Sequence, residues 1–202
     1  MLERSEMSGV YPSMIPDSLT STVTRPAVMV DVAIVGAGIT GLRCALNLLE
    51  GGWGVTVLEA RDRVGGRLWS PSVGPSGPRL DLGATWFWPR EPRVRALMEE
   101  LGLPTHPQYL EGDAVYEDPR GVQRLAGNPL DGPAGRFSTG AETVAETLAA
   151  GLPDGVVRTS CPVHRVALQG DRVQVQAGET VIQAASVVLA LPPSLALASI
   201  DF

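Results

Sequence analysis

The 202-residue sequence predicts an α/β fold built on a parallel sheet, and three observations carry that expectation. Residues Val30 to Val35 form an apolar run broken only by Asp31, and it leads directly into Gly36, Gly38 and Gly41 of a G-x-G-x-x-G turn. Leu42 to Leu49 then place apolar residues at helical spacing. Finally, Val55-Thr56-Val57-Leu58 reads as a second buried strand that ends on Glu59. Strand, glycine turn, helix, strand and terminal acid, in that order, are the parts of a dinucleotide-binding Rossmann-like unit.

Each glycine meets a separate demand of such a ligand. Gly36 lets the chain turn sharply out of the first strand, Gly38 lets bare backbone approach a pyrophosphate, and Gly41 lets the helix lie close to the sheet. The helix opens at Gly38 and Ile39 with unpaired N–H groups and the positive end of its dipole, so an anion needs no lysine there. Glu59 is placed to accept hydrogen bonds from the adenosine ribose, with Ala60 and Arg61 beside it. An acid here also disfavours a 2′-phosphate, although Arg61, Arg63 or Arg67 could relieve that repulsion. A G-x-G-x-x-G alone arises by chance in a chain with 23 glycines, so the flanking strand and helix carry the inference. Asp31 reads as a solvated residue at the strand's start.

The stretch Val55 to Arg67, V-T-V-L-E-A-R-D-R-V-G-G-R, resembles the flavin-containing amine oxidase family, which includes the monoamine oxidases. Two further segments agree: Leu80-Asp81-Leu82-Gly83-Ala84-Thr85-Trp86, and Pro162-Val163 together with Ala190-Leu191-Pro192-Pro193-Ser194-Leu195. The resemblance spans roughly residues 31 to 100 and 135 to 202. It implies FAD as the cofactor, with Gly65 and Gly66 passing beneath it and Arg67 near its pyrophosphate and flavin end. A permanently charged, forked donor suits a phosphate or a flavin carbonyl. Gly83, Ala84, Thr85 and Trp86 would run past the isoalloxazine ring, and Val163 would pack by the adenine. Trp86 also has a reading as a core aromatic, and Trp88, which matches no motif position, reads as core or cavity wall. Desaturase-like flavoenzymes share much of this pattern. An NAD-dependent dehydrogenase is the weaker reading, because it has no evident use for Gly65-Gly66-Arg67.

The remaining chain is placed coarsely. Residues 1 to 26 mix Ser, Pro, Met and charge without period and read as a flexible tail ahead of an FAD-binding domain over 27–202. Pro92 to Leu101 carries Val94, Leu97, Met98 and Leu101 at helical spacing, with Pro92 suited to the first turn. Ala114 to Tyr116 and Val122 to Leu125 flank an Asp118-Pro119-Arg120-Gly121 turn and read as a hairpin. Leu125 to Gly135 is rich in Gly, Pro, Asn and Asp and reads as a linker. Thr139-Gly140-Ala141-Glu142 has a capping-box pattern that opens a helix through Ala150. Alternating residues Val166 and Leu168, Val173 and Val175, and Val181 predict a three-stranded β-meander. The apolar run Ala185 to Leu191 follows as a strand that returns to the parallel sheet, covered on both faces. In the resembled family a large helical region precedes the turn at Gly135 to Gly140, so the linker implies that this helical substrate region, one wall of the cavity, is absent.

Composition narrows the class. With 44% hydrophobic and 19% charged residues the chain can bury one substantial core. Its net charge of −6 disfavours nucleic acid as a partner, and no run suits a membrane span or a signal-peptide core. Cys44 and Cys161 form no metal or redox spacing, Cys44 reads as a small core residue, and a reduced, cytoplasmic setting is the default. All 16 basic residues are arginine. Many members of the resembled family use a lysine near the flavin, and it lies beyond the matched region.

No catalytic residue is assigned. A flavin carries the electrons itself, and the protein mainly holds the amine and excludes water. His106 precedes a proline, His164 lies on a strand of undetermined face, and Ser138, Ser160 and Asp154 lack a triad context. The expectation is therefore the amino-terminal portion of an FAD-dependent oxidoreductase that oxidises a small-molecule amine with oxygen as acceptor. Self-association or a complementing chain would complete it, and Leu195, Leu197 and Phe202 would otherwise be exposed. The alternative is a catalytically inactive FAD- or dinucleotide-binding module or partner subunit.

Overall fold

The computed structural model describes residues 28–75 and 77–202, and the tail expected over residues 1–26 lies outside them. In chain order the elements are β1 (Val28–Val35), α1 (Ile39–Glu50), β2 (Val55–Leu58), β3 (Trp86–Phe87), α2 (Pro92–Glu100), β4 (Thr105–Pro107), β5 (Ala114–Asp118) and β6 (Gly121–Leu125). There follow β7 (Gly135–Phe137), α3 (Glu142–Ala150), β8 (Val157–Arg158), β9 (Val163–Gln169), β10 (Arg172–Ala177), β11 (Thr180–Leu189) and α4 (Pro193–Ser199).

Six strands form the main sheet in the order β8-β2-β1-β11-β10-β9. The first four run parallel, and β10 and β9 continue antiparallel. Because successive side chains of a strand face opposite ways, β1 divides its apolar residues between two cores. Val32 and Ile34 join Val55 and Val57 beneath α1 and α3, where Leu42, Ala45, Val144, Ala145 and Leu148 are buried. Ala33 and Val35 pack in a second cluster with Leu58, Val163, Val166, Val173, Val175, Ile182 and Ala184. A glycine bounds α1 at each end, Gly38 before it and Gly51 after it.

Two expectations are corrected here. The third meander strand and the returning strand are one element: the first half of β11 pairs antiparallel with β10, while from Ile182 to Leu189 it also pairs parallel with β1. A single extended segment can do this because its two edges offer independent hydrogen-bonding rows. Nor is the later part of β11 covered on both faces, since Ala185, Ser186 and Leu189 are exposed.

The capping box of α3 is also not formed. No side chain of its own turn caps the helix. Instead Asp81 accepts the Ala141 N–H at 2.8 Å and the Ser70 hydroxyl accepts the Glu142 N–H at 3.0 Å. Glu142 in turn accepts the Ser70 N–H at 2.8 Å, and Ser70 donates to Asp81 at 2.6 Å. A distant loop thus satisfies the orphan amides, which is why the local pattern misleads.

A second sheet, β3-β7-β4, and the β5–β6 hairpin lie outside the main sheet. β6 and β7 are joined by residues 126–134 without helix or strand. Trp88 is not a core residue: it is 41% exposed and stands edge-on to Trp86.

Candidate functional site

The site is assembled where three loops meet at the ends of β1 and β2. Gly36 takes a φ of +105°, and a Cβ there would lie 2.8 Å from the Ala190 carbonyl. A Cβ on Gly41 would lie 2.0 Å from the Gly36 carbonyl oxygen, so α1 can approach the turn only with glycine at that position. Gly38 differs, because nothing lies within 4 Å of where its Cβ would be. Its lack of a side chain serves no protein contact, and this is the open backbone a phosphate requires. α1 begins here with no side-chain cap and no acid in its first turn, leaving its N-terminal amides and dipole for an anion, with Ile39 half-buried beside them.

Glu59 follows β2 and is only 6% exposed. Its Oε2 accepts the Ala37 N–H at 2.8 Å and its Oε1 accepts the Arg61 N–H at 3.0 Å. A carboxylate has about four lone-pair sites. The two that remain can receive ribose hydroxyls, while Ala60 and Arg61 lie exposed at its side.

The next loop docks onto the glycine turn. Gly65 donates its N–H to the Ala37 carbonyl at 2.9 Å, and Gly38 and Gly65 form a parallel bridge. A Cβ on Gly66 would sit 3.5 Å from the Gly38 Cα. The third segment locks to the second: the Ala84 N–H donates to the Arg67 carbonyl at 3.1 Å, and a Cβ on Gly83 would lie 1.9 Å from that oxygen. A groove of about 540 Å³ runs along these loops, lined by Arg61, Arg63, Gly66, Arg67, Trp69, Leu82, Gly83 and Ala84. Among the described residues neither the Arg61 nor the Arg67 guanidinium makes a hydrogen bond or ion pair within the chain. Both remain available to an anion.

The structure thus brings Gly36, Gly38, Ile39, Gly41, Glu59, Ala60, Arg61, Gly66, Arg67, Gly83 and Ala84 to one rim. Thr85, Trp86 and Val163 stand apart from the groove lining. Thr85 turns its hydroxyl back to the Gly83 carbonyl at 3.0 Å. Trp86 lies on β3 opposite Arg136, whose guanidinium is 5.9 Å from the indole centroid. Val163 is buried at the start of β9 in the core cluster that also holds Val35 and Leu58.

Sequence reasoning passed over Trp69 and Leu82, which line the groove. It weighed Arg63 only as a partner for a 2′-phosphate, and that side chain is held by several carbonyls instead. All three lie inside or next to the quoted motifs, which was the available signal. Of the tempting acid–base groups, His106 meets the Ser138 hydroxyl at 3.0 Å on the surface and His164 is exposed on β9. Cys44 packs half-buried against the core, and burial pushes the Cys161 thiol above its usual range, with Arg158 offsetting part of the effect. No described helix is long and apolar enough to cross a membrane.

Comparison with known proteins bears on the family and the fold of the chain. The profile of the flavin containing amine oxidoreductase family matches residues 39–138 and 109–202. Putrescine oxidase of Kocuria rosea is 41% identical over 123 residues, covering 61% of this chain and 24% of that protein. The flavin-containing amine oxidase A of Sus scrofa is 45% identical over 78 residues, 39% of this chain and 15% of that protein. The chain therefore spans a quarter or less of these curated relatives. A solved putrescine oxidase bound to putrescine superposes with a TM-score of 0.76 at 24% identity, covering 87% of this chain and 61% of that one. Cyclohexylamine oxidase from Brevibacterium oxydans gives a TM-score of 0.75 at 20% identity, covering 86% and 60%. At such identities the superpositions establish the fold.

Proposed function

This chain belongs to the family of flavin-containing amine oxidoreductases, whose cofactor is FAD, and on that premise we propose that it is the FAD-holding part of an amine-oxidising flavoenzyme. The observation that carries this reading is the open face of Gly38 at the uncapped start of α1, set against Gly66 and beside the buried Glu59. Glu59 holds the adenosine ribose, the α1 amides and Arg67 hold the pyrophosphate, and Gly83 and Ala84 carry the chain toward the flavin. Thr85 and Trp86 lie further along that path, and Val163 supports the adenosine end.

Bound FAD supplies the two-electron acceptor for oxidation of a small-molecule amine, with oxygen as the final acceptor. The chain's own residues bind and orient the cofactor. A second reading, a nucleotide-holding module that is silent by itself, is supported by the open groove, whose lining does not enclose an amine. Further sequence, a complementing chain or self-association then supplies the walls that exclude water from an amine.

The test is a titration with FAD. The purified chain should show bound-flavin absorbance and gain about 3 kcal/mol of stability at a hundredfold excess over Kd. No bound flavin and no thermal gain would remove the reading. Peroxide release from a panel of amines should be absent for this chain alone, and turnover by it would overturn the silent module.

A further inference from the structure

Arg63 lies in the loop between the two proposed phosphate-holding segments, and although it lines the groove its guanidinium is spent on partners within the chain. Its Nη1 donates to the Val64 carbonyl at 3.0 Å, to the Leu68 carbonyl at 3.2 Å and to Glu142 Oε1 at 3.1 Å, and its Nη2 donates to the Gly66 carbonyl at 3.1 Å. The guanidinium also lies 5.5 Å from the centre of the Trp69 ring. One side chain therefore gathers the Gly66 carbonyl of the Gly65-Gly66-Arg67 turn and the Val64 and Leu68 carbonyls that flank it. Glu142, 7% exposed at the start of α3, accepts from the same Nη1 and bonds the Ser70 N–H as well.

The consequence follows from peptide geometry. In a trans peptide the C=O and the following N–H point in opposite directions, and no peptide of the described chain is cis. Drawing the Val64 carbonyl to Arg63 sends the Gly65 N–H the other way, where it meets the Ala37 carbonyl of the glycine turn at 2.9 Å. Drawing the Gly66 carbonyl to Arg63 likewise turns the Arg67 N–H away from the guanidinium. The cation thus dictates which side of this turn presents donors, while Glu142 cancels its charge.

We propose that Arg63 and Glu142 are positioning residues for FAD: the pair aims the Gly66–Arg67 backbone and the Arg67 guanidinium at the pyrophosphate without touching it. This rests on the FAD reading above. The two charges make a sign test possible. If the pair acted only through its field, Glu142→Gln would remove a negative charge near a dianion and tighten binding. If it positions the turn, the same change weakens binding.

FAD affinity is measured by isothermal titration on the full chain and on Arg63→Lys and Glu142→Gln, at a temperature where circular dichroism shows each ligand-free protein folded. Arg63→Lys keeps the charge but loses the planar fork. Both variants should bind FAD about tenfold more weakly, the scale of one charge-assisted hydrogen bond. Arg63→Ala should recover part of its affinity when guanidinium ion is added at millimolar levels that leave the unaltered chain's affinity unchanged. A merely structural loss would not respond in that way. Unchanged binding in Arg63→Lys, unchanged or tighter binding in Glu142→Gln, or no rescue of Arg63→Ala would overturn the positioning role and leave the FAD reading intact. Failure of the unaltered chain to bind FAD would overturn both.

Discussion

The Glu59 carboxylate accepts the amide of Ala37 at 2.8 Å, tying the end of β2 to the middle of the glycine turn across 22 positions of sequence. An acid expected to serve a ligand is thus also part of the ligand-free architecture. Glu59→Ala leaves the Ala37 and Arg61 amides without their acceptor. It should lower the stability of the ligand-free chain by about 2 to 3 kcal/mol, while Glu59→Gln, which keeps one carbonyl oxygen, should cost roughly 1 kcal/mol. Urea unfolding without FAD checks this, and an alanine variant as stable as the parent would show that the carboxylate serves the ligand alone.

Gly38 and Gly83 should respond in opposite ways to alanine. At Gly38, with φ −74° and open space around the missing Cβ, the ligand-free stability should stay within about 1 kcal/mol of the parent. FAD affinity should fall at least tenfold, because the methyl group would occupy the phosphate's approach. At Gly83 a Cβ would meet the Arg67 carbonyl oxygen at 1.9 Å, and the cost should be about 3 kcal/mol in the unliganded protein. Thermal melts with and without FAD separate the two.

For α3, the distant cap predicts that Ser70→Ala destabilises the chain by about 1 to 2 kcal/mol. Thr139→Ala should change stability by less than about 0.5 kcal/mol, since the described side chain makes no capping bond. A larger loss at Thr139 than at Ser70 would restore the local capping box.

The β5–β6 hairpin should be sensitive to acid through Asp113. The Arg124 guanidinium, and after it the Gly127 N–H, hold this carboxyl below the usual aspartate range. A folded pKa below the unfolded one stabilises the hairpin fully above the unfolded value, near 3.9 for aspartate, and the contribution disappears as pH falls through the folded value. Hydrogen exchange of the Gly127 amide should therefore speed up, relative to the base-catalysed trend, only below about pH 4. Asp113→Asn should abolish that step, and its persistence would assign the step to another group.

How far the sequence could be read depended on the range of the interactions. β1, the glycine turn, α1 and β2 are specified by local periodicity and by residues whose function is their own backbone, so the rim of the site was legible. The hairpin and α2 were legible for the same reason, Pro92 sitting where the first helical turn needs no amide. What could not be read were pairings made at a distance. β3, β4 and β7 have two or three residues each and exist only through one another, as Trp86 with Arg136 and His106 with Arg136 show. β8 is a two-residue strand defined by β2. The cap of α3 comes from Ser70, 72 positions away, and Arg63 reads in the sequence as one of several motif arginines until its four acceptors are seen together.

The double pairing of β11 also bears on how this chain comes apart. Ile182 and Ala184 each face a residue of β10 on one edge, Val175 and Val173, and a residue of β1 on the other, Val28 and Val30. All six of these residues belong to or pack against a single apolar cluster, so opening either ladder exposes a core that the other strands share. The meander and the nucleotide-binding half should behave as one cooperative foldon, with the slowest-exchanging amides of the molecule gathered on the central residues of β11.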